Sequence, residues 1–499
     1  MSSPSSDWEV VIGLEVHVQL RTRAKVVASS SWGFGQEPNE QVDPVVLGLP
    51  GTLPVVNREA VDKAILFGLV VGAEVPERCA WDRKNYFYPD NPKNYQLTQK
   101  DFPVVVGGQV EIELPGASRN VMGEHKTIRI HHAHLEEDVG KLSHAGSGSL
   151  VDYNRAGVPL LEIVTEPDLR SSAEAEAFLR SLVAMLTQAG VADCDMEKGQ
   201  LRCDCNVSVR RPGGPLGTRT ETKNLNSISS VRDTVIYETA RQIRELEAGR
   251  AITQETRGWN AELARGYVLR DKEDAHDYRY FPDPDIPTLK ISRETVARLA
   301  KQVPENLYDR QRRYIEKLGL PYTAASVLVN DRALAEWFEA AVAAHPANPS
   351  GIANLVANDL LRDLAAAGAA ADSDGSAPAA LPLSSCPIKP AQLAGLVKLT
   401  DDGVISKQQA KEVFTEMFKS GQDAAAIVDA KGLRQNSDTG ELEKIVQEVI
   451  ADPAVAKSIA EYRAGNEKAI NALKGPIMKR TQGKANPGLI DQLLRKALG

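Results

Sequence analysis

The segment WEVVIGLEVHVQL, residues 8–20, decides the fold of this chain, because its second half alternates apolar and polar side chains. The apolar side chains fall on one side of an extended backbone: Leu14, Val16, Val18 and Leu20. The polar side chains fall on the other side: Glu15, His17 and Gln19. A period of two is typical of a β-strand with one buried face. The segment therefore predicts a strand that carries an acid and an imidazole on its open face.

Two further segments extend this pattern into a sheet. Residues 201–210, LRCDCNVSVR, alternate in the same way, and residues 127–138, TIRIHHAHLEED, alternate more loosely. Amphipathic helices are predicted at 172–189 and 228–248. Strands separated by long helices predict an α+β fold class, with a strand-rich domain at 1–293 that holds a mixed or antiparallel sheet and flanking helices.

Local signals mark the ends of these helices. Ser171 and Glu174 fit a capping box at the start of the first helix, and Gly190 fits its end. The second helix ends at Gly249.

The remainder of the chain is predicted to be helical. We expect an all-helical domain at 294–405 and a small helical tail module at 406–499. The segment 365–385 is rich in Ala, Gly, Ser and Pro, so we expect an exposed loop there.

Composition excludes several protein classes. Among 499 residues, 42% are hydrophobic and 25% charged, which is ordinary for a globular protein. No apolar run approaches the ~18 residues that span a bilayer, and the N-terminus has no apolar signal core. Five cysteines do not indicate a disulfide framework. We therefore expect no membrane association and a cytoplasmic location.

Charge is distributed unevenly along the chain. The net charge is −8, yet residues 468–499 hold seven Lys and Arg against one acid. A basic tail on an acidic body is compatible with a polyanion partner, and equally with a solvated helix surface.

The stretch His-Leu-Glu-Glu-Asp at 134–138 packs three acids together, Glu136, Glu137 and Asp138. Four histidines lie nearby: His131, His132, His134 and His144. Adjacent like charges require a cation, protons or open water. The stretch is therefore either a solvated loop or part of an active site.

Polar residues on the open faces of the predicted strands could lie close to this acidic cluster. Glu15 and His17 would project from one face roughly 6.7 Å apart. Asp204 lies on the polar face of a second strand, and Glu221 and Lys223 alternate likewise if their segment is extended. Oxygen-rich sites suit Mg²⁺, and carboxylates with positioned cations serve phosphoryl transfer. Solvated outer strand faces are the ordinary alternative, which spacing alone does not exclude.

Other cofactor motifs fit less well. Cys203 and Cys205 could bind zinc with the nearby histidines, but they share the apolar face of their strand, which favours core packing. Gly140-Lys141 lacks the flanking residues of a P-loop. An ATP site in this chain must therefore be of an unusual kind.

Long blocks of the sequence resemble the B subunit of the tRNA-dependent amidotransferases, the aspartyl/glutamyl-tRNA(Asn/Gln) amidotransferases. The blocks occur in family order: VIGLEVHVQL (11–20), LGLPGTLPVVN (47–57), DRKNYFYPDNPKNYQLTQ (82–99), HLEEDVGKL (134–142), DYNRAGVPLLEIVTEPD (152–168), RCDCNVSVR (202–210), ETKNLNS (221–227) and YRYFPDPDIP (278–287). The tail segment GPIMKRTQGKANP (475–487) is also similar, so the resemblance covers essentially the whole chain.

The resemblance implies a carbon–nitrogen ligase with glutamine as amide donor, EC 6.3.5.-. ATP and Mg²⁺ would phosphorylate the side-chain carboxylate of Glu-tRNA(Gln) or Asp-tRNA(Asn), and glutamine-derived ammonia would then displace the phosphate. The site would lie in a cradle-like first domain. The resemblance also implies a heterotrimer with an amidase (the A subunit) and a small third protein (the C subunit). No glutaminase signature is evident in this chain, so its ammonia would have to come from the amidase.

The resemblance assigns roles to individual residues. Metal binding would fall to Glu15, His17, Glu136, Asp204 and Glu221. Catalytic roles would fall to Glu136, Glu137 and Lys84, with Lys84 holding Glu137 ionised at the mouth of an ammonia tunnel. Nucleotide or substrate binding would involve Arg83, Arg155, Lys223 and an asparagine beside Leu225. The tRNA-binding tail would use Lys474, Lys479, Arg480 and Lys484.

One departure concerns zinc. Many members of the family that this chain resembles carry zinc cysteines before the LGLPG block, but here the residues are Asp43-Pro44-Val45-Val46-Leu47-Gly48, and no cysteine precedes Cys79. We therefore expect no structural zinc and local packing that holds this loop. The alternatives to a transamidase are a non-catalytic tRNA-binding scaffold and an isolated metal-dependent hydrolase.

Overall fold

The computed structural model describes residues 7–271, 277–371, 381–435, 439–481 and 485–499. The chain divides into two compact units, Met1–Arg310 and Gln311–Gly499. No helix within the described ranges is long and apolar enough to cross a membrane.

The strands described here all lie in the first unit. In chain order they are β1 (Glu9–Gln19), β2 (Arg78–Cys79), β3 (Asp82–Asn85), β4 (Tyr95–Thr98), β5 (Val105–Val106), β6 (Gln109–Glu113), β7 (His125–Glu137), β8 (Lys141–Ala145), β9 (Gly148–Asp152), β10 (Pro159–Thr165), β11 (Leu201–Arg210), β12 (Thr220–Leu225), β13 (Glu255–Asn260), β14 (Arg265–Asp271), β15 (Phe281–Pro282) and β16 (Leu289–Lys290).

Helices occur along the whole described part of the chain and make up most of its second half. They are α1 (Arg58–Val70), α2 (Ser172–Gln188), α3 (Ile228–Glu247), α4 (Arg293–Ala300), α5 (Leu307–Leu318), α6 (Tyr322–Val329), α7 (Arg332–Ala344), α8 (Pro349–Asn354), α9 (Leu361–Ala371), α10 (Pro390–Asp401), α11 (Lys407–Ser420), α12 (Ala424–Ala430), α13 (Thr439–Ile450), α14 (Ala456–Arg463), α15 (Ile470–Arg480) and α16 (Pro487–Leu498).

A large mixed sheet organises the first unit. Its strand order is β14-β13-β12-β11-β1-β10-β7-β5, and β6 also pairs with β7. The pairings are antiparallel apart from β12 with β13, which is parallel. The predicted α+β class with a mixed sheet is therefore confirmed.

The sheet has one apolar face because its central strands alternate as their sequences predicted. Val16, Val18, Cys203 and Cys205 are each 0% exposed and belong to the main hydrophobic core. Helices α1, α2 and α3 pack near β7, β6 and β11, respectively. The opposite face of β1, β10 and β11 keeps its polar side chains, and this face carries the candidate site.

The helix caps follow the sequence signals with one difference. The Ser171 hydroxyl accepts from the backbone N–H of Glu174, as a capping box requires. The Glu174 carboxylate, however, accepts from the backbone N–H of Arg170 and from Lys126. The predicted reciprocal bond from the Ser171 backbone N–H is therefore wrong, and the carboxylate accepts from Arg170 and Lys126 instead.

The alanine-rich segment at 365–385 only partly matches the predicted loop. Helix α9 continues to Ala371, since alanine is the strongest helix former. Residues 372–380 lie outside the described residues. A short 3₁₀ turn follows at Leu383–Ser385.

The second unit is helical, and its last part has a hydrophobic cluster of its own. That cluster runs from Leu442 to Leu498 and includes Leu473, Ile477 and Leu494. Helices α11 and α12 pack with α10, on the other side of the predicted boundary at 405/406. The two predicted domain boundaries, at 293/294 and 405/406, remain predictions.

Candidate active site

The strand register brings polar residues from four strands onto one face of the sheet. His17 on β1 lies opposite Glu162 on β10, which lies opposite His134 on β7. In the adjacent row, Glu15 on β1 lies opposite Asp204 on β11. Because antiparallel neighbours directly opposite each other share a face, side chains far apart in sequence meet here.

One group consists of three carboxylates, Glu15, Asp204 and Glu221, whose oxygens lie within 4.8 Å of one another. The Lys223 ammonium joins two of them, at 3.0 Å from Asp204 Oδ2 and 2.9 Å from Glu221 Oε1. One ammonium among three carboxylates leaves an excess of negative charge. Burial raises the pKa of Glu15, and the nearby Glu162 and Glu221 carboxylates raise it further.

Asn206 completes this group with an additional oxygen. Its Nδ2 donates to Glu15 Oε1 at 3.0 Å. Its Oδ1 is buried and accepts no hydrogen bond from the described residues. A buried carbonyl oxygen without a donor is costly, and together with three carboxylates it forms the oxygen-only set that Mg²⁺ prefers.

The second group consists of His134, Glu136 and Glu162, whose ligand atoms also lie within 4.8 Å of one another. His134 Nε2 lies 3.6 Å from Glu136 Oε2 and 3.5 Å from Glu162 Oε2. His17 Nε2 lies 3.3 Å from the same Glu162 oxygen. Glu162 therefore connects the two imidazoles.

Lys84 adds a positive charge to the second group. Its Nζ donates to Glu136 Oε1 at 3.0 Å. Burial opposes ionisation of Glu136, but the Lys84 ammonium and the hydrogen bond from His134 outweigh it and hold the pKa of Glu136 below its usual range. In the same way, His134 and His17 hold the pKa of Glu162 well below its usual range against the effect of burial.

Both groups lie within the part of the chain that matches the first of two known protein families. The family described as the GatB/GatE catalytic domain matches residues 10–297, and the family described as the GatB domain matches residues 336–498. The chain belongs to the GatB family.

Full-length GatB relatives agree with this assignment. A protein from Opitutus terrae is 51% identical over 495 residues, with 99% of each chain covered. Proteins from Carboxydothermus hydrogenoformans and Ralstonia nicotianae are each 47% identical, again with 99% of each chain covered. All three are named as the B subunit of aspartyl/glutamyl-tRNA(Asn/Gln) amidotransferase.

Each acid in the His-Leu-Glu-Glu-Asp stretch of this GatB chain has its own cation. Glu136 bonds Lys84, Glu137 bonds Lys93, and Asp138 bonds Arg202 at 2.8 Å. The three acids are at most 4% exposed, so the stretch is a buried strand end rather than a solvated loop. Three separate ion pairs therefore offset the repulsion among the three adjacent carboxylates.

The expected ion pair between Lys84 and Glu137 is wrong. Lys84 bonds Glu136, whereas both Glu137 oxygens accept from Lys93. Successive residues of a strand point to opposite faces, so the Lys84 ammonium that reaches Glu136 does not also bond Glu137. Glu137 Oε2 additionally accepts from the backbone N–H of Leu97 at 2.9 Å.

The predicted metal residues of GatB are divided between the two groups. Glu15, Asp204 and Glu221 form one group, Glu136 belongs to the other, and His17 contacts the second through Glu162. The assignment of metal binding to these five remains a prediction.

The predicted substrate-binding residues lie in different surroundings. Arg83 forms ion pairs with Asp283 and Asp285. Arg155 donates to the backbone oxygens of Val139 and Gly140 and borders a cavity of about 580 Å³ that also includes Gln19. Beside the buried Leu225, the backbone N–H of Asn224 donates to Asp204 Oδ1 at 2.8 Å.

The predicted tail residues are partly paired within their own module. Lys474 lies 2.6 Å from Asp491, and Arg480 lies 3.0 Å from Glu448. Lys479 is exposed. Lys484 lies outside the described residues.

Sequence reasoning missed Glu162, Lys93 and Asn206. Glu162 is the single acid within the apolar run VPLLEIVT, and a lone carboxylate in such a strand is a signal that could have identified it. Asn206 lies two residues from Asp204 and therefore on the same strand face.

Two predictions related to zinc were that Cys203 and Cys205 pack in the core and that local contacts hold the loop around Asp43. Cys203 and Cys205 are buried in the core, where burial raises the pKa of both thiols. Asp43 organises the loop before the LGLPG block, because it accepts from the backbone N–H groups of Ser30 and Val46, each at 3.0 Å.

Proposed function

We propose that this chain is the transamidase subunit of a tRNA-dependent amidotransferase. With ATP it phosphorylates the side-chain carboxylate of Glu-tRNA(Gln), Asp-tRNA(Asn) or both, and then converts the activated carboxyl group to an amide with ammonia. The observation that carries this proposal is the presence of two groups of potential metal ligands, Glu15/Asp204/Glu221 and His134/Glu136/Glu162, on one sheet face of a GatB-family chain. Activation is required because a carboxylate resists attack by an amine, whereas an acyl phosphate has a good leaving group.

Mg²⁺ fits both groups by the chemistry of their donors. Glu15, Asp204, Glu221 and the buried Asn206 Oδ1 would hold one ion through oxygen atoms alone. Glu136 and Glu162, with His134, would form a second position. When bound, Mg²⁺ neutralises charge on transferring phosphoryl oxygens.

The protein's own cations act beside these ligands. Lys84 and Lys223 each lie 3.0 Å from a carboxylate, of Glu136 and Asp204 respectively. Both ammonium groups have raised pKa values, because burial is outweighed by the acids around them. They therefore stay charged at neutral pH and can stabilise negative charge that develops on a phosphoryl or carboxyl oxygen.

Ammonia must come from another chain, since this sequence has no glutaminase signature. The partners are therefore an amidase, which is the A subunit of such an enzyme, together with its small C subunit. Glu137 and Lys93, buried on the other side of β7 from Glu136, are candidates to contact incoming ammonia. The cytoplasm is the expected location, and no zinc is expected.

A non-catalytic tRNA-binding scaffold is the alternative function. Binding alone does not require converging acids, whose mutual repulsion has to be offset by several matched cations. The alternative predicts that substitutions in the two groups leave amide formation intact.

Reconstitution with the amidase and the small third protein tests the proposal. Amide formation is measured on Glu-tRNA(Gln) and Asp-tRNA(Asn), with and without ATP. We expect ATP-dependent product with the native chain, and Glu136→Gln to lose aminoacyl-phosphate formation while tRNA binding persists. Exposed Glu262→Gln is the matched control, with native activity expected. Unchanged turnover in Glu136→Gln would contradict the catalytic role.

A further inference from the structure

An exposed aromatic cleft of about 620 Å³ lies between the segments 85–88 and 277–279. Its walls carry four aromatic rings, those of Tyr86, Phe87, Tyr88 and Tyr278. Phe87 is 65% exposed and Tyr88 47% exposed. Exposed rings gathered in a concave surface indicate a binding site, because they leave a large apolar area in water.

Backbone contacts hold the two walls of this aromatic cleft together. The Asn85 backbone N–H donates to the Tyr278 oxygen at 3.0 Å, and Asn85 Nδ2 donates to the Arg279 oxygen at 2.7 Å. The rings of Tyr86 and Tyr88 are stacked, with centroids 5.9 Å apart and planes inclined by 26°. The cleft is therefore formed by ordered contacts rather than by chance exposure of single side chains.

Positive charge accompanies the aromatic rings. The Arg279 guanidinium lies 5.8 Å from the Phe87 ring centroid. Lys84 Nζ lies 5.3 Å from the Tyr278 ring centroid and 3.0 Å from Glu136 Oε1. A single lysine thus contacts both the cleft and the candidate catalytic group. Aromatic platforms with interspersed cations are the usual means of binding unpaired nucleotides.

We propose that the aromatic cleft binds the unpaired 3′-terminal base of the aminoacyl-tRNA by stacking. This inference rests on the proposed function. The reacting carboxylate is covalently attached to the terminal nucleotide, so its base must lie within one aminoacyl-nucleotide of the catalytic group. The cleft meets this requirement through Lys84 and Tyr278.

The lining favours a nucleobase of the tRNA over the adenine of ATP. Among the residues that line the cleft, Arg279 is matched by one acid, Asp277. A triphosphate requires several converging cations or backbone N–H donors, whereas a terminal base requires only a flat apolar partner. The stacked Tyr86 and Tyr88 rings also provide aromatic surface beyond a single base.

Fluorescence of the tRNA end tests the inference without catalysis. Glu-tRNA(Gln) carries 2-aminopurine in place of the terminal adenine, whose emission falls on stacking, and a separate dye on the tRNA body reports binding. We expect the reconstituted native complex to quench the 2-aminopurine. We expect Phe87→Ala to bind the tRNA body but to lose most of the quenching, and Phe87→Trp to restore it.

Steady-state kinetics provide the second measurement. We expect Phe87→Ala to raise the KM for Glu-tRNA(Gln) by about 5- to 100-fold, with the KM for ATP unchanged. Phe102→Ala is the matched control, because Phe102 is a phenylalanine that is 58% exposed yet lines neither this cleft nor the cavity beside Arg155. The control should leave the KM for Glu-tRNA(Gln) at its native value.

Each contrary outcome identifies a different error. A raised KM for ATP alone would assign the cleft to adenine of the nucleotide, and dissociation of the amidase from the Phe87→Ala complex would assign it to protein docking. Native quenching that persists in Phe87→Ala would also overturn the inference. Absence of amide formation by the native complex, with quenching intact, would instead contradict the proposed function.

Discussion

Glu162 links two histidines of the candidate site that lie on different strands. Its carboxylate lies 3.3 Å from His17 and 3.5 Å from His134, and so connects β1 with β7. Although partial burial opposes its ionisation, the imidazoles keep the pKa of Glu162 well below its usual range. It therefore supplies a permanent negative charge between two histidines.

Replacing this charge should damage catalysis more than folding. We expect Glu162→Gln to lower ATP-dependent amide formation by about 10- to 100-fold, the usual effect of losing a group that orients metal ligands. Turnover of Glu-tRNA(Gln) by the reconstituted complex measures the effect, with circular dichroism to verify the fold. Native turnover in this variant would show that Glu162 has only a structural role.

His132 makes the first unit sensitive to acid. Burial and the neighbouring His134 and His131 lower the pKa of His132 to about 4, while Glu162 opposes this shift. An unfolded histidine titrates near a pKa of about 6.5. Between these values the unfolded chain binds more protons than the folded chain, so stability falls as the pH falls from about 6.5 towards 4.

Removing this imidazole should reduce the acid sensitivity. We expect His132→Gln to lose less thermal stability than the native chain between about pH 7.5 and pH 5.0, the range that contains the titration of the unfolded imidazole. The melting temperature at each pH measures the difference, and His144→Gln, on the exposed hairpin of β8 and β9, is the control. An equal fall in both variants would contradict the assignment.

Strand β7 directs the side chains of two adjacent buried carboxylates, Glu136 and Glu137, to opposite faces of the sheet. Glu136 bonds Lys84 at the end of the ligand group, and Glu137 bonds Lys93 and the backbone of Leu97. Losing one partner of a buried ion pair leaves an uncompensated charge, which costs about 3–5 kcal/mol.

Lys93 therefore offers a test of this arrangement. We expect Lys93→Met to destabilise the first unit by about 3–5 kcal/mol, and Lys93→Met combined with Glu137→Gln to recover a substantial part of that loss. Urea denaturation of the native chain and the two variants measures the free energies of unfolding. Equal stability of the single and double variants would mean that Glu137 does not depend on Lys93.

Strand periodicity explains which parts of the site the sequence predicted. Glu15, His17 and Asp204 follow from alternation within β1 and β11, because the period of two is a local property. The partners of Glu136 and Glu137 do not follow, since Lys84 lies on β3 and Lys93 on the loop before β4. The pairing of β3 with β4 and its approach to β7 are set by contacts between distant segments, which a single sequence does not encode visibly.

Glu162 and helix α9 show the same limit. The run VPLLEIVT predicts a buried strand, but its one acid becomes a site residue only when β10 lies between β1 and β7. The composition of 365–385 favoured a loop, whereas the propensity of its alanines extends α9 to Ala371. Composition alone therefore predicted too long a loop, because it did not include the helix propensity of the alanines.

The molecule as a whole joins an acidic catalytic unit to a basic helical end. The cluster from Leu442 to Leu498 gives this end its own core, which includes parts of α13, α15 and α16. Lys474 and Arg480 are paired with acids of the same module, and Lys479 is exposed. Part of the basic charge is thus structural, and the exposed remainder is available to a polyanion.

Deleting residues 439–499 tests whether this end binds tRNA. The cut precedes α13 and removes the whole cluster, whereas a cut at 406 would separate α11 and α12 from α10, with which they pack. We expect weaker tRNA binding and a flatter dependence of log affinity on log salt, by about 0.7–0.9 for each phosphate interaction that the deletion removes. ATP cleavage by the reconstituted complex should persist, because the two ligand groups remain.

Lys479→Glu should weaken tRNA binding in the same direction as the deletion and by less, with the fold intact. Native affinity together with lost ATP cleavage would place the tRNA interaction elsewhere and show that the tail instead supports the catalytic unit.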